Sequence, residues 1–275
     1  MSMKIEHDFH IHTGLSSCAM DKENATLEKY LENAREYGLK KLGFADHLWD
    51  SAIEGAPRWY YPQNVDHVLP LKEKLRVAKA NGLLDEENKI QMYFGCEAEY
   101  DYAHRDVALT EAAAEQFDFV IVPNSHTHIV MPKEYYKPYQ KHADFMLQAY
   151  EDIINSKVSR YITAMAHPFQ AVCCPYPYGE LIDLITDDQF KRLFDRTAEK
   201  GIAFEINMAG VSRRTDEEIE KLPQIRLFRL AKECGCKFIF GSDSHDIQPH
   251  RLYHRAEFVA HLLELKESDL AEIAR

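Results

Sequence analysis

Apolar positions along this chain fall in short runs, and the runs alternate with stretches in which apolar residues recur at helical spacing. Residues 3–9 read as a first strand. Leu27, Tyr30, Leu31 and Ala34 then share one face of a helix that Asn24 or Thr26 can cap and Gly38 can stop. Residues 42–45 follow as a strand, then a helix around 68–80 and a strand at 90–96. A short helix near 109–116 leads to a strand at 119–123. Helices around 144–155, 189–200 and 216–234 each precede a strand, at 161–166, 202–204 and 237–240, and two helical stretches close the chain. Such alternation implies parallel strands, in a barrel or an open doubly wound sheet. No glycine-rich nucleotide loop follows any strand, which weighs against a dinucleotide-binding sheet. No linker, repeat or low-complexity tract interrupts the pattern, so 1–275 reads as one domain. Two insertions rich in aromatics and proline, 50–65 and 129–141, are expected to loop over one face. Their Tyr60, Tyr61, Tyr135, Tyr136 and Tyr139 either shape a pocket or simply pin the loops to the surface.

The polar residues matter most for where they fall. Of fourteen histidines, seven lie at or just after the end of an expected strand: His10, His12, His47, His126, His128, His167 and His245. Glu97, Glu205, Asn207 and Asp243 occupy equivalent places. In parallel α/β architectures the C-terminal strand ends all face one way and form the rim where sites are built. Residues scattered over more than 230 positions should therefore converge. Imidazole and carboxylate suit zinc, manganese and iron. The pairs His10-x-His12 and Asp243-x-His245 put both side chains on one side, because a strand repeats every two residues. The histidines without such neighbours, His7, His67, His104, His142, His250, His254 and His261, read as hydrogen-bonded polar residues.

Composition narrows the setting. A chain of 275 residues, 45% hydrophobic, can bury a large core without staples. Its six cysteines (18, 96, 173, 174, 234 and 236) include no CxxC pair, so reduced thiols and a cytoplasmic location are expected. No signal peptide or membrane span is expected from the apolar runs. The net charge of −12 disfavours long nucleic acids as partners.

Together, Asp8-Phe-His10-Ile-His12-Thr13, Phe44-Ala-Asp46-His47, Gly95-Cys-Glu97, Ser125-His126, Ala166-His167-Pro168 and Gly241-Ser-Asp243-Ser-His245 resemble the motifs of the PHP (polymerase and histidinol phosphatase) superfamily, in its order. The stretch 204–210 with Arg213 and Arg214 resembles histidinol-phosphatase-like members. The resemblance implies a distorted (β/α)7 TIM-like barrel of PHP type with two or three divalent ions, Zn, Mn or Fe, at its C-terminal rim. It implies one ion on His10, His12, Glu97 and Asp243, a second on Glu97, His126 and His167, and a third on His47 and His245. Glu97, Asp243 and His245 form the expected catalytic core. Two positions depart from the pattern. Cys18 stands where many relatives carry histidine or aspartate, so it either replaces that ligand or is a free loop cysteine. His128 is an alternative to His126 as ligand, or a substrate contact.

The activity implied is hydrolysis of a small phosphomonoester by metal-activated hydroxide, as in a histidinol phosphatase. Arg213 and Arg214 are candidates for gripping the phosphate, or are a solvated pair. Asp46 and Glu205 are expected to orient ligands, and Glu99 either does the same or faces solvent. Two alternatives stay open: a phosphodiesterase or nuclease on short nucleotides, and a metal-binding module without turnover.

Overall fold

The computed structural model describes residues 3–80, 90–170, 178–247 and 255–275. Cys173, Cys174, His250 and His254 lie outside the described residues. Seven strands form one parallel sheet in sequence order: β1 (His7–Ile11), β2 (Lys41–Leu48), β3 (Gln91–Ala98), β4 (Phe119–Pro123), β5 (Ile162–Ala166), β6 (Ala203–Asn207) and β7 (Phe238–Gly241). Helices connect successive strands and cover the outside. The result is a nearly closed α/β barrel, one of the two architectures the strand pattern allows and the one the PHP resemblance implies.

The seam between β1 and β7 closes in two ways. Near the rim the backbones pair directly: Asp243 N donates to His10 O at 2.8 Å and His12 N donates to Ser244 O at 2.9 Å. Lower down, side chains make the join. Phe240 N donates to His7 Nε2 at 3.0 Å and Ser242 N to Asp8 Oδ1 at 2.9 Å. His7 is buried, and burial lowers its pKa to about 4, which keeps Nε2 free to accept.

Local chemistry explains most boundaries. Thr26 caps the helix Leu27–Tyr37 by accepting from Lys29 N, and Gly38 (φ 70°) ends it. The expected helix over 216–234 is two helices, Asp216–Glu220 and Pro223–Glu233. Pro223 offers no amide to continue the first and forces Leu222 into extended backbone (ψ 135°), so a new helix starts with Pro223 at its first turn. Strand β1 starts later than expected, and β2 and β3 run further. Asp46, His47 and Glu97 are therefore inside strands rather than just beyond them.

An irregularity in β1 sets up the site. Asp8 pairs with Leu42 and Ile11 with Phe44, so Phe9 and His10 together oppose Gly43. Such a bulge breaks the two-residue alternation and re-aims the side chains beyond it. Phe9 can thus pack on Phe119 (ring centroids 5.3 Å apart) while His10 and His12 also reach the site residues of neighbouring strands. The Phe119 ring lies over Gly43 and Gly95, and a Cβ on Gly95 would stand 2.3 Å from it.

Candidate metal centre

Glu97, 1% exposed, is the hub of the barrel mouth. Its Oε2 stands 2.7 Å from His47 Nδ1, 3.5 Å from His10 Nε2 and 3.6 Å from His12 Nε2. Its Oε1 stands 2.9 Å from His167 Nε2 and 3.6 Å from His126 Nε2. Asp243 Oδ1 adds a second carboxylate, 3.3 Å from His12 Nε2, 3.7 Å from His10 Nε2 and 3.5 Å from His245 Nδ1. Asp243 (φ 54°) and His167 (φ 28°) both adopt left-handed backbone, a strain that tends to collect at functional sites.

The rings are held from behind. His10 Nδ1 is 2.7 Å from Glu205 Oε1, and His126 Nδ1 is 2.8 Å from Glu99 Oε2. His245 Nδ1 donates to the Asp243 carbonyl at 2.9 Å. His167 Nδ1 is 2.6 Å from Ser125 Oγ. Asp46 accepts from Thr13 N, Thr13 Oγ1 and Ser16 Oγ at 2.7, 2.7 and 2.6 Å. With its own proton committed to Asp46, Ser16 Oγ accepts from His12 Nδ1 at 3.1 Å. Five imidazoles thus anchor through Nδ1, leaving Nε2 as the ligating atom, and Nδ1 partners of this kind orient metal-binding histidines. Gly241 is required for one of them: a Cβ there would meet Glu205 Oε1 at 2.1 Å and His10 Cβ at 2.5 Å.

The donor set fits cations better than protons. His10 Nε2 and His12 Nε2 face each other at 3.1 Å, which is repulsive unless a positive charge lies between or one carries a proton. His47 Nδ1 and Glu97 Oε2 are close but lack the alignment of a hydrogen bond, and both are buried without a hydrogen-bond partner. The charges conflict as well. Burial would strip the proton from His10, but Glu205, Asp243 and Glu97 outweigh it and hold the pKa well above 6.5. Burial likewise opposes protonation of His126, yet Glu97 and Glu99 raise it to about 9. His12 and His47 go the other way through burial, to which each adds crowding by other imidazoles. Glu97 and Asp243 resist burial because the imidazoles keep their carboxyls well below the usual range. Protons therefore meet only part of a demand for positive charge that divalent ions would satisfy. The clusters whose ligand atoms converge are His10, His12 and Asp243; His47, Glu97 and His126; His10, His167 and Glu205; and His12, Cys18, His47 and His245.

Every strand-end residue singled out as a principal ligand is thus in one place. The allocation among ions is less simple than the implied one, since His47 groups with Glu97 and His126 as well as with His245. Between the two neighbouring histidines, His126 is buried against Glu97, while His128 is exposed beside it (ring centroids 5.8 Å). They do not share a strand face, because His126 caps the short helix Thr127–Val130. Cys18 is half-buried, and burial followed by Glu97 pushes its thiol up to about 12. Arg213 and Arg214 are exposed on the segment after β6, and Arg214 Nε donates to Gly210 O at 2.9 Å. Among the loop tyrosines, Tyr60 is buried and donates to Glu99 Oε2 at 2.5 Å, whereas Tyr61 is exposed. Ser16 was not singled out in the sequence, and Ser125 entered only as part of the Ser125-His126 motif, with no role of its own. A serine four residues after His12 or next to His126 carries no signal until the fold shows what it touches. Glu99 had one, its two-residue spacing from Glu97.

A cavity of about 570 Å³ opens over the centre. His47, His126, Asp243 and His245 form its polar floor, and Trp59 and Ile129 form an apolar wall. Trp59 packs edge-on against His47, centroids 4.9 Å apart. No helix among the described residues is long and apolar enough to cross a membrane.

A model of the PHP domain matches residues 8–209. Among solved structures, the chain is similar to histidinol phosphate phosphatase from Lactococcus lactis subsp. lactis Il1403, determined with zinc, L-histidinol and phosphate. The TM-score is 0.66 at 17% identity, with 95% of each chain covered. N-isopropylammelide isopropylaminohydrolase from Burkholderia multivorans ATCC 17616 gives a TM-score of 0.45 at 12% identity, covering 98% of this chain and 70% of that one. A search of curated proteins found no match.

Proposed function

This chain belongs to the PHP domain family, and on that footing we propose that it is a metal-dependent hydrolase that cleaves a small phosphomonoester, acting as a single domain. The observation that carries the reading is the Glu97 carboxylate ringed by imidazoles whose Nε2 atoms point inward, open to a cavity of substrate size. His10, His12, His47, Glu97, His126, His167, Asp243 and His245 would hold two or three divalent ions. Bound there, such ions would supply Lewis acidity toward phosphoryl oxygens and lower the pKa of water.

The chain's own residues do the rest. Glu205, Ser16, Glu99 and Ser125 fix the imidazole rings, so little reorganisation accompanies reaction. Trp59 and Ile129 exclude water from one wall and meet the organic part of the ester. His128 lines the mouth as a hydrogen-bonding group for substrate, and Arg213 and Arg214, exposed beyond β6 and outside the cavity lining, are the candidate guanidinium contacts for the phosphate's outer oxygens. The structural neighbour was determined with phosphate and L-histidinol, which supports a small amino-alcohol ester as a first substrate to try.

Phosphate release tests this. The purified chain would be stripped, reloaded with zinc, manganese or iron, and assayed against histidinol phosphate, other small monoesters and short oligonucleotides. Metal-dependent release from one monoester at about 10⁴ M⁻¹s⁻¹ or better is expected. Cleavage of oligonucleotides alone, or no turnover by fully loaded protein, would overturn the proposal.

A further inference from the structure

Cys18 lies on a segment fastened to the metal centre at several points. Upstream, Thr13 and Ser16 are bound to the Asp46 carboxylate. Ser17 N donates to the buried Gln63 Oε1 at 2.9 Å. Downstream, Ala19 N donates to Ser16 O, and Met20 N donates to His245 O at 3.0 Å. The last bond joins the backbone two residues beyond Cys18 to His245, the last residue of the centre. Cys18 is therefore held in the same local frame as His245, not on a free loop.

What the segment presents has the makings of a ligand set. Cys18 Sγ and a ring nitrogen from each of His12, His47 and His245 lie within 4.8 Å of one another. The rings stack face to face, His12 on His47 at 4.3 Å and His12 on His245 at 4.2 Å. His47, 5% exposed, stands between the two groups: its Nδ1 is buried 2.7 Å from Glu97 Oε2, and the ring also belongs to the cluster with Cys18 and His245. Of the four residues, Cys18, His47 and His245 line the cavity, whereas His12 lies deeper and also converges with His10 and Asp243.

We propose that Cys18, His47 and His245 form a thiolate-containing cation site at the cavity wall, distinct in chemistry from the histidine–carboxylate positions below it. The inference rests on the reading of the barrel mouth as a metal centre. Three protein ligands with one position facing the cavity is the arrangement of a site that meets substrate. One sulfur and two imidazole nitrogens suit a thiophilic divalent ion such as zinc and disfavour manganese or magnesium. The deeper positions, without sulfur, accept harder ions, so the protein would hold ions of mixed preference. Binding at Cys18 also makes that ion alone sensitive to thiol oxidation.

Metal analysis and spectroscopy on the full chain test this without reference to turnover. Zinc-loaded protein should lose one equivalent per chain on Cys18→Ser, and cobalt-loaded protein should lose a sulfur-to-metal charge-transfer band. Cys18→Asp should restore the equivalent but shift preference from zinc toward manganese. Should Cys18→Ser fail to fold, alkylation of the unaltered chain decides. Cys18, mapped by mass spectrometry, should be modified after chelation and protected after zinc loading. An unchanged stoichiometry and band in Cys18→Ser, or equal alkylation with and without zinc, would overturn the proposal. Loaded protein that shows the band yet hydrolyses no phosphate ester would keep this site and remove the phosphatase reading.

Discussion

At the floor of the barrel Phe9 and Phe119 meet edge to face over Gly43 and Gly95, while two to four residues further along the same strands His47 and Glu97 stand in a crowd of imidazoles. The floor is complete in itself. Its rings fill space made by missing Cβ atoms, and its stability comes from dispersion and from apolar surface removed from water. The mouth is not complete. It buries carboxylates and imidazoles whose charges only partly cancel, leaves His47 Nδ1 and Glu97 Oε2 without hydrogen bonds, and bends Asp243 and His167 into left-handed backbone. Burial of charge without full pairing costs stability, so the floor and its surrounding helices must carry the mouth. The difference teaches that one barrel can separate the residues that make it fold from those that make it reactive.

Substitutions can break that division. Asp243→Asn should reduce metal-dependent turnover by at least about 10³-fold while leaving the circular dichroism spectrum unchanged. Retained activity would show that the mouth is not the reactive half. Phe119→Ala should act in the opposite manner. It should destabilise the protein by about 3–5 kcal/mol in denaturant unfolding, yet leave the metal content of the folded fraction unchanged. A loss of bound metal would mean that floor and mouth are coupled.

A smaller effect is expected at the seam. The pKa of His7 falls from 6.5 to about 4 on folding, so the unfolded chain binds its proton first. Its contribution is fully present above pH 6.5 and is lost as pH falls toward 4, by up to about 3 kcal/mol. Unfolding curves for the native chain and His7→Gln across this window should differ in slope, the variant being flatter. Equal slopes would remove His7 from the closure.

Much of this was legible along the chain. The capping Thr26, the stop at Gly38 and the strand 119–123 are local statements, and local sequence specified them. The convergence of His10, His12, His47, Glu97, His126, His167, Asp243 and His245 followed from a parallel topology, which brings all C-terminal strand ends to one rim. Less local features escaped. The break at Pro223 was masked by a helical pattern on both sides of it. The parity of β1 depended on a bulge that no residue type in that strand announces.

Residue type and order alone therefore determined the strand-and-helix alternation, the parallel α/β class and which side chains gather at the C-terminal rim, because these depend on periodicity and strand direction, while the choice of a barrel over an open sheet came from the motif resemblance. Only the tertiary structure decided that Glu97 is the hub, that Glu99 and Ser16 hold imidazoles, that His126 rather than His128 faces Glu97, and that Cys18 is tethered beside His245. Those outcomes turn on shifts of a single residue in register and a few ångströms in loop placement, and they are fixed by contacts between segments far apart in the chain.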